Sequence, residues 1–289
     1  PNRSLLLSYE LHIKQEKYDI KLIEVNTNGA GFLFVDNIYR TKNVATNALK
    51  QLQKSFTQEI NSTSKKQPIL AIVDENIQQQ KMYPEFLMYQ DLLTSWGYQT
   101  SIEDVESLQW QNQQLINQQG QPIHFIYNRY CDFLLQSNKS RHLRSAYLAN
   151  QCFLSPNPKE YLLLADKQRN IELTTPGWLD EFSKEVDVPF IRQCLNATFE
   201  ANSFNKEDLW QKRKQFFFKP HRSFGGKSTY RGRSITKKVF DRIFQENLLV
   251  QEYSPPPKII FNDTEWKYDL RFYVYGNQIQ QICVRLYQG

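Results

Sequence analysis

The chain has 289 residues, 40% hydrophobic and 23% charged, with a formal net charge of +6. That length allows about two domains, and the composition excludes a disordered, collagen-like or low-complexity chain. No apolar run approaches the ~18 residues a membrane span needs, and no basic start followed by an apolar run marks a secretory signal.

Residues 5–13 alternate, with Leu5, Leu7, Tyr9, Leu11 and Ile13 on one face, and predict a strand. After a polar turn at 15–17, residues 18–26 predict a second strand in an antiparallel hairpin with the first. Glu24 and Asn26 stand two apart, so a strand points both to the same face. Residues 27–31, with Gly29 and Gly31, break that strand. A helix is predicted over 44–55 and a polar linker over 61–66. Residues 68–73 read as a short buried strand, and 84–96 as a helix stopped by Gly97. A strand over 101–105 and a glutamine-rich strand–turn–strand over 109–121 follow. A strand over 123–127 then leads into Asn128 and Arg129, and a helix is predicted over 140–150. Alternating strands and helices predict a small parallel α/β unit. One helix is expected over 159–172, carrying Asp166 and Lys167, and another over 206–215. An apolar strand over 216–219 ends at Lys219. A helix over 236–244 and a strand over 248–253 precede three prolines, Pro255 to Pro257. The last prediction is a hairpin, 268–275 and 278–286, turning at Gly276-Asn277.

The charge is unevenly placed. Between Lys206 and Arg242, twelve basic residues face three acidic ones, leaving that segment at +9 and the rest of the chain at −3. Such a segment suits an anionic ligand. Gly225-Gly226-Lys227-Ser228 falls short of a P-loop, because His221 stands where the first glycine is required. A different phosphate site fits better. Lys219 ends a strand, and the two glycines in the loop over 222–229 let backbone N–H groups approach an anion. Gln251, Glu252 and Tyr253 run into a proline-rich hinge that can hydrogen-bond a purine, with Glu252 placed for ribose hydroxyls. No Ser-His-Asp or Cys-His grouping is present. His12, His124, His142 and His221 read as structural or surface residues. Four scattered cysteines without metal spacing read as free thiols of a reducing compartment, which predicts a cytoplasmic protein.

These residues together resemble the ATP-grasp superfamily, in the circularly permuted branch that includes eukaryotic glutathione synthetase and glutathionylspermidine synthase. They are also similar to bacterial proteins of permuted ATP-grasp type with a segment like Tyr127-Asn128-Arg129. The resemblance implies an α/β (α+β) architecture: a circularly permuted ATP-grasp fold with a small parallel α/β domain of pre-ATP-grasp type. It divides the chain at 1–60, the permuted part of the core with a metal-binding hairpin; 67–157, the substrate-side α/β domain; and 158–289, the nucleotide-binding lid and core strands. It implies ATP and Mg2+ as cofactors. Glu10, Glu24 and Asn26 would hold the metal. Lys167, Lys219, Gly225, Gly226, Lys227, Ser228, Gln251, Glu252 and Tyr253 would bind the nucleotide. Arg271 and Arg285 would be catalytic, holding the transferring phosphoryl and the acyl oxygen. Asn128 and Arg129 would meet the substrate. The implied activity is an ADP-forming ligase that joins a small-molecule or peptide carboxylate to an amine or thiol through an acyl-phosphate, with no membrane partner. Ser223 stands where glutathione synthetase carries an acid, a departure that weighs against glutathione chemistry itself. Pro1 at the start reads as a processed or partial chain, and such relatives usually continue past the segment ending at Gly289. Two alternatives remain open: a catalytically silent nucleotide-binding or protein-interaction module of the same fold, and a nucleic-acid binder through 206–242.

Overall fold

A computed structural model describes residues 3–14, 19–222 and 229–288. The polar turn expected at 15–17 lies outside them, as do Gly225, Gly226, Lys227 and Ser228. The chain forms two compact units, each drawn from three stretches of sequence. One comprises Pro1–Ser8, Asn26–Leu163 and Phe272–Cys283; the other comprises Tyr9–Val25, Leu164–Arg271 and Val284–Gly289.

In chain order the first long elements are β1 (Leu7–Lys14), β2 (Asp19–Asn26), α1 (Phe32–Thr41) and α2 (Ala48–Asn61). There follow β3 (Ile69–Asp74), α3 (Tyr83–Ser95), β4 (Gln99–Asp104), β5 (Gln109–Gln111), β6 (Gln114–Ile116), β7 (Phe125–Asn128), α4 (Arg141–Leu148), β8 (Phe153–Ser155) and α5 (Pro158–Leu164). Within the first unit, β4-β3-β7-β8 form a parallel sheet. Its central strands are apolar on both faces, as a sheet covered on both sides requires. Leu70, Ile72, Phe125 and Tyr127 point into one core with Leu52 and Phe56 of α2 and Phe86 and Tyr89 of α3. The alternate residues Ala71, Val73 and Ile126 point into a second core with Leu143 and Ala146 of α4. The glutamine-rich segment is the small β5–β6 hairpin, and Leu115 and Trp110 tie it to that second core.

Helix α1 is absent from the sequence reading, and the helix expected from residue 44 starts at Ala48. The sequence Phe-Leu-Phe-Val-Asp-Asn-Ile-Tyr-Arg-Thr is rich in residues that favour strands. Tertiary contacts override that preference. Glu85 of α3 accepts hydrogen bonds from the backbone N–H groups of Gly31 (2.9 Å) and Leu33 (3.1 Å), satisfying donors at the helix start. Phe32 is fully buried and packs edge-on against Tyr273, with ring centroids 5.2 Å apart. Just before α1 the backbone passes so close to Leu6 and Tyr273 that a Cβ on Gly29 would lie 3.0 Å from the Leu6 carbonyl oxygen.

The single helix expected over 159–172 is two helices. α5 ends at Leu164, and α6 (Arg169–Thr174) begins beyond Asp166-Lys167. Asp166 makes the break. Its carboxylate accepts from the N–H of Gln168 (3.0 Å) and its carbonyl from that of Arg169 (2.9 Å), opening the new helix.

The second unit continues with α7 (Val188–Cys194), β9 (Thr198–Glu200), α8 (Lys206–Lys212), β10 (Phe216–Lys219), β11 (Tyr230–Arg231), α9 (Lys237–Gln245), β12 (Leu249–Glu252) and β13 (Lys258–Phe261). Strands β11-β10-β12-β9 form an antiparallel sheet. Phe216, Phe218 and Val250 on one face pack against Leu209 of α8 and Phe240 and Ile243 of α9. Gly232 is required there, since a Cβ would lie 1.8 Å from the Arg213 carbonyl oxygen. The chain closes with β14 (Thr264–Tyr275) and β15 (Gln278–Tyr287), paired across the expected Gly276 turn, where φ is +59°. β13, β14, β1 and β2 join in that order in a five-stranded sheet, with β15 also on β14.

A reciprocal capping box opens α5. Asn157 Oδ1 accepts from the N–H of Glu160 (3.0 Å), and Glu160 accepts from the N–H of Asn157 (3.1 Å). Burial pushes the Glu160 carboxyl up to about 8, and the nearby Glu59 charge adds to the rise. The native carboxyl therefore keeps its proton where the unfolded chain has lost it. Its contribution to stability falls as pH rises from the ordinary value of 4.5 to about 8. Glu160→Gln preserves the acceptor and removes the titration. The variant is expected to match the parent near pH 5 and to melt higher at pH 8, by several degrees. Thermal unfolding across that range checks this; parallel curves for the two proteins would contradict it.

Candidate functional site

Lys219 is the last residue of β10, and strand pairing places it beside β12. Its amine donates to Gln251 Oε1 (2.7 Å) and to the Ile23 carbonyl on β2 (3.1 Å). Gln251 is aligned in turn by its Nε2, which donates to Thr198 Oγ1 (3.4 Å). Lys167, only 8% exposed, pairs with Glu24 Oε1 at 3.1 Å. Burial holds the Lys219 amine below its ordinary range. Glu24 and Glu10 pull it back up, and Lys167 pushes it further down. Two lysines and two glutamates thus act on one another. Beside them Asp166 takes an ion pair from Arg222 Nε at 3.4 Å.

The other cations converge on Glu10, on β1. Arg271 donates to one of its carboxylate oxygens and Arg285 Nη2 to the other, the latter at 2.6 Å. Arg285 is held from behind by Asp269, whose two oxygens accept from Nε (2.7 Å) and Nη2 (2.9 Å). Strand alternation brings this about: Asp269 and Arg271 stand two apart on β14, and Arg285 is on its hairpin partner β15. Burial alone would raise the Glu10 carboxyl, but Arg271 and Arg285 outweigh it and hold the group below its ordinary value. Arg285 is shifted upward: burial opposes this, and its bonds to Asp269 and Glu10 prevail. Asp269 escaped assignment at the sequence level, although its place one step from Arg271 on the same strand face was readable.

At the end of β12, the backbone N–H groups of Glu252 and Tyr253 donate to the carbonyls of Ala197 (2.9 Å) and Gln215 (2.8 Å). Glu252 also lines a cleft of about 590 Å³ with Thr174, Arg192 and Leu195. Arg231 lies over the Tyr253 ring at 4.5 Å. His12 Nδ1 meets the Ser254 carbonyl at 3.1 Å.

Asn26, Asn128 and Arg129 belong to the first unit. Arg129 is buried. Its Nη1 donates to Asn28 Oδ1, to the Gly29 carbonyl (3.3 Å) and to the Tyr127 hydroxyl (3.1 Å). Asn128 donates to the Pro156 carbonyl (3.1 Å) and accepts from the Tyr130 N–H (3.2 Å). Both lie at the carboxyl end of the parallel sheet. Asp74 ends the neighbouring strand there, and burial pushes its carboxyl up to about 6.

No protein-family model and no curated protein sequence matches the chain. Solved structures do resemble it. It superposes on a gamma-glutamylcysteine synthetase-like protein from Methylobacillus flagellatus KT with a TM-score of 0.62 at 11% identity, covering 99% of this chain and 76% of the other. On a glutathione synthetase-like effector from Globodera pallida the TM-score is 0.58 at 11% identity, covering 96% and 70%. The chain shares the fold of these two synthetase-like proteins. The ATP-grasp ligase PsnB, complexed with a minimal precursor, overlays more loosely, with a TM-score of 0.41 at 13% identity over 76% of each chain.

Glu10 is the keystone of its cluster. Removing its charge leaves the largely buried Arg271 guanidinium without that carboxylate charge beside the half-exposed Arg285, which keeps Asp269. Glu10→Gln is expected to cost about 2 kcal/mol of stability at neutral pH, below the cost of breaking a fully buried pair. The carboxyl's lowered value means that its stabilising effect is complete above the ordinary 4.5 and is lost as pH falls through the folded-state value. The gap between parent and variant should therefore close in acid. Denaturant titrations at pH 7 and pH 3 check this, and a gap that stays constant would contradict it.

Proposed function

We propose that the protein is an ATP- and magnesium-dependent ligase that joins a carboxylate to an amine or thiol through an acyl-phosphate. One observation carries the reading. In a chain that shares the fold of two synthetase-like proteins, Lys167, Lys219, Arg271 and Arg285 gather around the acids Glu10 and Glu24.

Carboxylate and amide oxygens are the hard donors magnesium takes, so Glu10, Glu24 and Asn26 fit that ion chemically. Among the described residues no group of three His, Cys, Asp or Glu side chains forms a metal site. Glu10 and Glu24 are instead neutralised by arginine and lysine. Bound magnesium would supply charge neutralisation at the phosphates. The residues of this chain do the rest. Lys167 and Lys219 would transfer their interactions from Glu24 and Gln251 to phosphate oxygens. The chain over 222–229 would cover the phosphates, and Glu252 would take the ribose hydroxyls. The substrate carboxylate would attack the γ-phosphorus and break its bond to the β–γ bridging oxygen, so that ADP leaves. Arg271 and Arg285 would stabilise the charge that develops on the transferring group. An amine or thiol would then attack the acyl carbon and expel phosphate. No protein nucleophile is needed. Arg129, Asn128 and Asp74 end parallel strands where ligands collect in open α/β sheets, which supports the reading that they would meet the substrate.

A second reading, a silent module of the same fold, draws on the complete pairing of Glu10 by two arginines. Calorimetry of ATP with and without magnesium separates the two. The ligase reading expects magnesium-enhanced binding, weakened at least about tenfold, or ~1.4 kcal/mol, by Lys219→Ala. It also expects magnesium enhancement to disappear in Glu24→Gln. Binding that ignores both substitutions, or no binding at all, would overturn it.

A further inference from the structure

The first unit contains a cleft of about 640 Å³ that none of the residues assigned above lines. It lies between α2 and the turn from β14 to β15. Arg3 and Lys54 line it, and among the described residues no acidic side chain does. Lys54 has no ion-pair partner among the described residues, whereas Arg3 hydrogen-bonds the Tyr275 side chain and acts on the Glu59 carboxylate. The Arg3 guanidinium lies 5.7 Å from the centre of the Tyr275 ring. The Tyr275 hydroxyl donates to Glu59 Oε1, and Arg3 also hydrogen-bonds the Tyr275 side chain. Deeper in the wall is Gln280, 6% exposed. Its Nε2 donates to Ser55 Oγ at 3.0 Å, while its Oε1 has no hydrogen-bond partner among the described residues. A buried amide oxygen without a donor is uncommon and costly.

The volume suits a small ligand. Two cations on a lining without an acidic side chain among the described residues favour a negative charge, although Glu59 nearby offsets part of the Arg3 charge. The unanswered acceptor of Gln280, with Gln278 on the same lining, favours a ligand that also brings hydrogen-bond donors. We propose that this cleft binds a small hydroxylated anion, a phosphate or a carboxylate, at a site separate from the nucleotide residues. Lys54 supplies the long-range attraction from an exposed helix position. Arg3, braced on the Tyr275 ring, supplies the directional contact. Gln280 discriminates for ligands with a hydroxyl or amino group near the charge.

Calorimetry with two probes tests this: glycerol phosphate for the phosphate arm and citrate for the carboxylate arm. Both are titrated into the parent and into Lys219→Ala, Lys54→Ala, Lys54→Glu and Arg3→Gln, each first shown to melt with the parent. The expected result is saturable binding of at least one probe, unchanged in Lys219→Ala. It should weaken about tenfold in Lys54→Ala and in Arg3→Gln, and be lost in Lys54→Glu. No saturable binding of either probe would overturn the proposal, as would binding that survives Lys54→Glu or disappears in Lys219→Ala. The last result would mean that the probe occupies the nucleotide residues instead.

Discussion

A lysine amine removed from water keeps its proton only if oxygens surround it. Lys219 meets that condition with an amide oxygen, a backbone carbonyl and the charges of Glu24 and Glu10. Much of the second unit follows from it. Gln251 must present its oxygen, so Thr198 fixes its other end. Glu24 also holds Lys167, whose place depends on the chain breaking at Asp166 rather than continuing as helix. Glu10 must sit between Arg271 and Arg285, and Asp269 orients the second of these. Each charge is placed by another charge, so the cluster behaves as a unit.

Such a cluster is stable without a ligand and still suited to one. Its cations hold protein carboxylates by the same charge-assisted bonds they would form with phosphate oxygens. A triphosphate with its metal offers equivalent partners to both signs, since the oxygens answer the lysines and arginines and the metal answers the glutamates. Exchange of partners then costs less than creating charged contacts from solvent. This favours reading the ionic cluster as a nucleotide site over reading it as a structural one.

The regular architecture was largely legible in the sequence. Alternation in β1 and β2, the apolar runs of β3 and β7 and the helix stop at Gly97 are local signals, and the parallel α/β unit follows from their order. Helix α1 was not legible, because its composition favours a strand and its capping carboxylate, Glu85, comes from a helix more than fifty residues away. The break at Asp166 was missed for the opposite reason. Apolar spacing on both sides suggested one helix, and a single side-chain-to-backbone bond decides otherwise. Among the site residues, Glu10, Lys219, Arg271 and Arg285 could be named from resemblance, yet their mutual contacts span up to 275 positions and no local pattern encodes them. Asp269 stands readable beside Arg271 on β14, but the arginine it holds is Arg285 on β15, a pairing that only the fold sets. The partners of Arg129, Asn28 and Tyr127, are likewise set by the fold and not by spacing.

The central claim is that the ionic cluster around Glu10 and Lys219 receives the nucleotide. Side-chain Nε–H resonances of Arg271 and Arg285, assigned by Arg→Lys substitution, report on it directly. Magnesium-ATP is predicted to shift both resonances as the arginines leave Glu10 for the nucleotide, and magnesium alone at the same concentration is predicted to shift neither. Resonances that stay in place at saturating magnesium-ATP would contradict the account.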